Sequence, residues 1–169
     1  MSEILYCPLC GHRVETRPRG ERSRPVCPGC GWVGWRNPKA AVAVVLRNSL
    51  GRVLLVKRRS HPPGWCIPCG NIEWEEDIRE AGFRELIEET GLEVEMGRVL
   101  AVHSNFHDPE AHSVGVWFEG RVIGGAERPG GDAEALGWFP PDSPPEPLAF
   151  PTDRRVLSAL ARGGDPEKD

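Results

Sequence analysis

GNIEWEEDIREAGFRELIEETGL, residues 70–92, decides how the rest of the chain reads. Asp77 followed three residues later by Glu80 is a capping-box arrangement, and Gly91 stands where a helix needs a left-handed C-terminal residue. The spacing predicts a helix over about 78–90, packed through Ala81, Phe83, Leu86 and Ile87. Glu85, Glu88 and Glu89 fall at i, i+3 and i+4 and share one face. They sit in the last turns, where the helix dipole disfavours each exposed anion by roughly 0.3–1 kcal/mol. Arg84 can neutralise one carboxylate but not three. A divalent cation is the economical compensation, and hard oxygen donors select Mg²⁺ or Mn²⁺; the competing reading is a solvated acidic face.

The same window matches the pattern G-x5-E-x7-R-E-U-x-E-E-x-G-U, where U is a bulky aliphatic residue, at Gly70, Glu76, Arg84, Glu85, Leu86, Glu88, Glu89, Gly91 and Leu92. On these residues the chain resembles the Nudix hydrolases over about 39–162. Its N-terminal extension looks like the zinc ribbon that precedes some NADH, ADP-ribose and FAD pyrophosphatases. The resemblance implies an α/β fold, the Nudix α/β/α sandwich around a mixed β-sheet, and an enzyme that hydrolyses a nucleoside diphosphate linked to another moiety. It makes Glu88 and Glu89 metal ligands, Glu85 a ligand or the general base, and Arg84 the residue that orients a glutamate, with Glu76 supporting the cluster. Cys69 stands where the family commonly has the first of two glycines, whose backbone carbonyl contacts metal. A further acid beyond the box is expected at Glu134, with Asp132 and Glu127 as rivals.

Substrate follows less directly. The single tyrosine, Tyr6, lies far from the box and speaks against dinucleoside polyphosphates, and the NADH-type signature is missing. Pro109 follows the box at about the interval seen in ADP-ribose pyrophosphatases. The expectation is therefore ADP-ribose or an ADP-sugar, with NADH or FAD as the enzymatic alternative and a non-catalytic nucleotide-sensing or RNA-binding module as the competing class. Trp65, Phe106 and Arg58 are the expected substrate-binding residues, the aromatics by stacking on a base; His103, His107 and His112 are candidates for phosphate or ribose.

All six cysteines fall in Cys-x-x-Cys pairs. Cys7/Cys10 and Cys27/Cys30, each pair followed by glycine, have the spacing of two knuckle turns that bring four thiolates to one structural Zn²⁺. The segment between them has too little apolar content to make its own core, so metal binding must supply its folding free energy. Cys66 and Cys69 have no matching pair; they read as ordinary thiols, with a reversible disulfide or an adventitious metal as alternatives. Residues 1–39 hold seven Lys or Arg against three Glu and carry +4, which leaves −8 for the remainder. Such a basic segment can gather a polyanion, or it is solvated loop charge.

Apolar runs at 40–46, 52–58, 98–104, 113–122 and 135–139 predict strands, and PTDRRVLSALARGG a second helix capped by Thr152 or Asp153. The expected organisation is a zinc ribbon over 1–35, a Nudix domain over 36–163 and a disordered tail over 164–169. With no apolar run of membrane-spanning length and no basic, apolar leader, a cytoplasmic protein without a membrane partner is expected. A nucleotide is the expected partner; nucleic acid is open but not favoured, and a homodimer fits the habit of the resembling families.

Overall fold

The structure, a computed structural model, describes residues 4–163; the tail expected over 164–169 lies outside the described residues. The chain divides into two compact units, one through Pro38 and one from Lys39.

In the first unit β1 (Glu15–Arg19) and β2 (Arg22–Val26) form an antiparallel hairpin. Every residue of β1 is exposed, and the buried hydrophobic side chains of the unit are Cys7, Val26 and Cys27. Order comes from two matching turns: the Gly11 amide donates to the Cys7 carbonyl at 2.9 Å and the Gly31 amide to the Cys27 carbonyl at 3.0 Å. Both glycines have positive φ, 72° and 76°, which the knuckle geometry requires. The four Sγ atoms of Cys7, Cys10, Cys27 and Cys30 all lie within 4.8 Å of one another.

The second unit runs β3 (Lys39–Leu46), β4 (Val53–Arg58), β5 (Gly64–Cys66), β6 (Cys69–Asn71), α1 (Ile78–Thr90), β7 (Leu92–Asn105), β8 (Ser113–Gly125), β9 (Ala133–Phe139) and α2 (Pro151–Ala161). One sheet has the order β6-β3-β8-β7, with β3 parallel to β8 and the other pairs antiparallel; the second is antiparallel, β5-β4-β9. β3 is covered on both faces, which explains its unbroken apolar run. Val44 and Leu46 pack with Leu54, Leu92 and Leu86 of α1, whereas Ala43 and Val45 pack with Leu55, Leu100, Trp117 and Val156 and Leu157 of α2. Helices thus cover opposite faces of a mixed sheet, the expected α/β/α sandwich. The short β5 and β6 escape the sequence pattern because three residues containing Gly and Cys show no alternation.

Helix α1 has the expected span and its Gly91 cap, at φ 70°. Its start differs in detail, since the Asp77 carboxylate takes the Arg79 amide at 2.8 Å, one residue earlier than a capping box. Phe83 is exposed rather than packed. Gly82 occupies the inner face instead, so close to β3 and β7 that an added Cβ would meet Met96 Cε at 2.8 Å. At α2 the N-cap is Phe150, with Pro151 opening the helix. Thr152 and Asp153 are not caps; both are buried in its first turn, where the Asp153 carboxylate accepts from the Ile67 amide (3.0 Å) and Trp117 Nε1 (3.2 Å). No helix among the described residues is long and apolar enough to cross a membrane.

Candidate active site

A cleft of about 390 Å³ opens in the second unit, between the C-terminal half of α1, strand β6 and the start of α2. Helix α1 delivers Glu85 and Glu89, one turn apart, into its wall. Gly70 of β6 makes that possible, because a Cβ there would fall 1.9 Å from Glu85 Cδ. Any side chain at 70 would evict the carboxylate. Glu89 goes deeper and is only 3% exposed, its Oε2 accepting from the Cys69 amide at 3.0 Å. Burial pushes its carboxyl up to about 9 against the pull of that amide, with Asp132 and Glu85 adding repulsion. Glu85 is also raised by burial, opposed by its bond to Arg84. Glu88 does not enter: its side chain is 54% exposed and it is absent from the cleft wall.

Arg84 spends most of its guanidinium outside the trio. Nε and Nη2 grip Glu76 at 2.7 and 2.8 Å, Nη2 also reaches the Asn71 carbonyl, Nη1 donates to Glu85 at 2.9 Å, and Glu88 lies at 3.7 Å. The grip holds Glu76 down to about 2. Glu89 consequently has no ion pair among the described residues.

Also in the lining, Arg58 at the end of β4 donates to Ser60 Oγ at 2.6 Å, faces Asp132 at 3.3 Å and lies 5.2 Å from the Phe150 ring centroid. Ser60 Oγ in turn donates to Asp132 Oδ2 at 2.6 Å. Arg58 therefore lines the cleft as expected. Four of the other candidates, Glu134, Glu127, Trp65 and Phe106, do not. Glu134 follows the buried Ala133 on β9, so strand alternation turns it outward, onto Lys57 Nζ at 3.4 Å; the neighbouring Asp132 lines the cleft in its place. Glu127 is bonded to Trp138 Nε1 at 2.9 Å, elsewhere on the surface. Trp65 packs edge-on against Phe139, with centroids 5.0 Å apart, at the margin of the core. Phe106 is exposed against His112. The aromatic rings in the wall are those of Phe150, Trp117, His61 and His107.

Asp153, Thr152 and Phe150, which the sequence does not mark as site residues, also line the cleft. Burial raises Asp153 to about 7, against the Ile67 and Trp117 bonds, and Thr152 Oγ1 is buried without a partner. The helix-start pattern PTD offered caps and hid these roles. Cys69 lines the cleft, and its thiol is pushed well above the ordinary range by contact with the Cys66 thiol and by burial, with little thiolate as a result.

The cleft thus brings hard carboxylate oxygens and a guanidinium into one lining. Among the described residues, the four cysteines are the only group whose ligand atoms come together within 4.8 Å; the carboxylates stand apart, Glu85 drawn to Arg84 and Glu89 to the Cys69 amide. An acidic cleft facing a fixed arginine suits a polyanion brought in with cations.

Comparison with known proteins agrees in kind. Residues 37–160 match the NUDIX domain. An ADP-ribose pyrophosphatase of Methanocaldococcus jannaschii is 34% identical over 123 residues, 71% of this chain and 72% of the relative. A NUDIX hydrolase from Nitrosomonas europaea superposes with a TM-score of 0.78 at 27% identity, covering 94% of this chain and 93% of that one. The NUDIX domain of Shewanella oneidensis NrtR, complexed with ADP ribose, gives a TM-score of 0.64 at 25% identity over 76% of this chain and 89% of that domain.

Proposed function

The chain belongs to the Nudix hydrolase family, and from that membership we propose that it is a divalent-metal-dependent pyrophosphatase acting on ADP-ribose or a closely related ADP-sugar. The observation that carries this reading is the buried Glu89, a carboxylate with no ion pair among the described residues, in a cleft it shares with Glu85, Asp132 and Arg58. Burial holds this carboxyl in its protonated form against the pull of Arg58; a bound cation would offset the cost of the buried charge as the proton leaves, and hard oxygen donors of this kind fit Mg²⁺ or Mn²⁺. Glu89 and Glu85 would hold the cation, with Glu88 and the Cys69 carbonyl as further donors. When bound, the metal neutralises the pyrophosphate and lowers the pKa of an attacking water.

The chain's own residues supply the rest. Arg84, anchored by Glu76, fixes Glu85 against the Gly70 backbone. Arg58 takes a phosphate oxygen, and Phe150 beside it offers an apolar ring to the nucleoside. Asp132, held by Ser60, accepts the proton of the water as its oxygen bonds to phosphorus and the bridging P–O bond breaks, giving AMP and a sugar phosphate. This role passes to Asp132 from the expected Glu134, which faces away. Similarity to an ADP-ribose pyrophosphatase over most of both chains supports the choice of substrate.

In the first unit the Sγ separations of 3.4 and 3.6 Å are near the ~3.8 Å edge of a tetrahedron with Zn–S bonds of about 2.3 Å. Those thiolates hold structural Zn²⁺. Incubation with Mg²⁺ and ADP-ribose, ADP-glucose, NADH, FAD or 5′-triphosphate RNA, with AMP or phosphate detected, tests the assignment. ADP-ribose or an ADP-sugar is expected to be cleaved fastest. Failure to cleave any of the panel with either Mg²⁺ or Mn²⁺ would overturn the hydrolytic reading, and preference for another member would overturn the substrate.

A further inference from the structure

The first unit carries a concentration of charge that the hydrolytic cleft does not use. In the register of the β1–β2 hairpin, Arg17 stands opposite Arg24 and Arg19 opposite Arg22. Alternate residues of a strand share a face, so four guanidinium side chains leave one face as two directly opposed pairs of like charges. Such pairs weaken a hairpin, and this one has little core to offset them, since every residue of β1 is exposed. Among the described residues one acid answers the four: Glu15, which accepts from Arg17 Nε at 3.0 Å and Nη2 at 2.7 Å. Arg19 and Arg22 are exposed beside the Gly20 turn.

Arg24 adds a second chemistry. Its guanidinium lies 4.4 Å from the ring centroid of Trp35, a side chain 61% exposed, and its Nε is buried without a hydrogen-bond partner. A flat cation stacked on an exposed indole therefore adjoins three further cations. With a rise of ~3.4 Å per residue and strands about 4.8 Å apart, the four stems emerge from a patch of roughly 7 by 5 Å. Phosphates alone would satisfy the charges but not the ring. A single-stranded nucleic acid satisfies both, because it combines a string of phosphates with unpaired bases that stack on aromatic rings and guanidinium planes.

We propose that this face of the hairpin binds single-stranded nucleic acid, with Arg17, Arg19, Arg22 and Arg24 taking phosphates and Trp35 stacking on a base. The inference is independent of which nucleotide the cleft hydrolyses. It is tested on the full chain without Mg²⁺, by fluorescence anisotropy of labelled oligouridine RNA and oligothymidine DNA at increasing salt. Binding to either strand should weaken with salt at a log–log slope of about −0.7 per phosphate neutralised, near −3 for four. Arg19→Ala with Arg22→Ala should weaken it at least tenfold and reduce the slope by about 1.4. These side chains are exposed, so the hairpin should survive their loss, which circular dichroism checks. Trp35→Ala should weaken binding about fivefold or more at unchanged slope, and Trp35→Phe should restore part of it. No binding to either strand at low salt, or full affinity in the double arginine variant, would overturn the proposal. So would equal affinity for inorganic polyphosphate together with indifference to Trp35, which would reduce the face to a plain polycation.

Discussion

At the scale of single residues, the decisive asymmetry lies between Glu76 and Glu89. Both belong to the box, yet Arg84 holds Glu76 down to about 2 while burial lifts Glu89 to about 9. A carboxylate raised that far keeps its proton in the metal-free protein at neutral pH and must release it when a cation binds. Mg²⁺ affinity should therefore rise with pH, by up to tenfold per unit, until about pH 9, with about one proton released per cation near pH 7. Calorimetry in buffers of different ionisation enthalpy measures that proton; a pH-independent affinity would count against Glu89 as ligand. Glu89→Gln should lower turnover at least a hundredfold with the fold kept, and near-normal turnover would contradict its role. The two acids around β9 separate in the same assay. Asp132→Asn should reduce kcat about a hundredfold, within the range for loss of a general base, whereas Glu134→Gln, which releases only an exposed pair with Lys57, should leave kcat within about twofold. The opposite ranking would return the role to Glu134.

At the scale of elements, the helix with its box was the most legible part of the chain, because Asp77, Gly91 and the apolar spacing all specify the same span. Its inner face was less so. Phe83 looked like a core residue, but α1 lies too near β3 for a ring, and Gly82 fills the contact. Strands were visible where apolar runs were long, and β5 and β6 were not, although β6 supplies the Gly70 backbone against which Glu85 rests. The start of α2 misled for a related reason: a Pro-Thr-Asp sequence signals a cap, while tertiary contacts draw Asp153 inward to Ile67 and Trp117. That placement has a thermodynamic signature. With its carboxyl near 7 in the folded chain against an ordinary 3.8, Asp153 binds its proton more tightly folded than unfolded between those values. Its contribution to stability is thus greatest at low pH and declines as pH rises from about 4 to about 7, by at most about 1.4 kcal/mol per unit, then levels off. Asp153→Asn loses an acceptor and should be less stable at pH 4, but its stability curve should lack that part of the decline. Denaturant unfolding from pH 4 to 8 compares the slopes, and an unchanged slope would show that the carboxyl does not titrate in this window.

At the scale of the whole molecule, the chain combines two ways of remaining folded. The second unit buries both faces of a mixed sheet beneath two helices, and its family was legible because nine chemically constrained positions fall in one short window. Its cleft lining was legible only in part: Arg58 stands out as a cation at a strand end and Asp132 as one of three acids beyond the box, but Phe150 and Asp153 come from a loop and a helix start that only the folded sheet brings to them, and Trp65 and Phe106, whose rings suit base stacking, lie outside the lining. The first unit inverts the relation. Its cysteine spacing was plain, yet it has almost no core, and two of the three buried hydrophobic side chains among its described residues are themselves cysteines. If the four thiolates hold zinc, the metal is the core of this unit, and its removal should unfold it rather than loosen it. One Zn²⁺ per chain is expected from metal analysis, retained in Cys69→Ser and lost in Cys27→Ser. Chelation of the native protein should abolish slow amide exchange along β1 and β2. Retention of zinc by Cys27→Ser would exclude the four-thiolate site, and a hairpin that stays protected after the metal is stripped would mean that its backbone ladder is held by something other than the thiolate cluster.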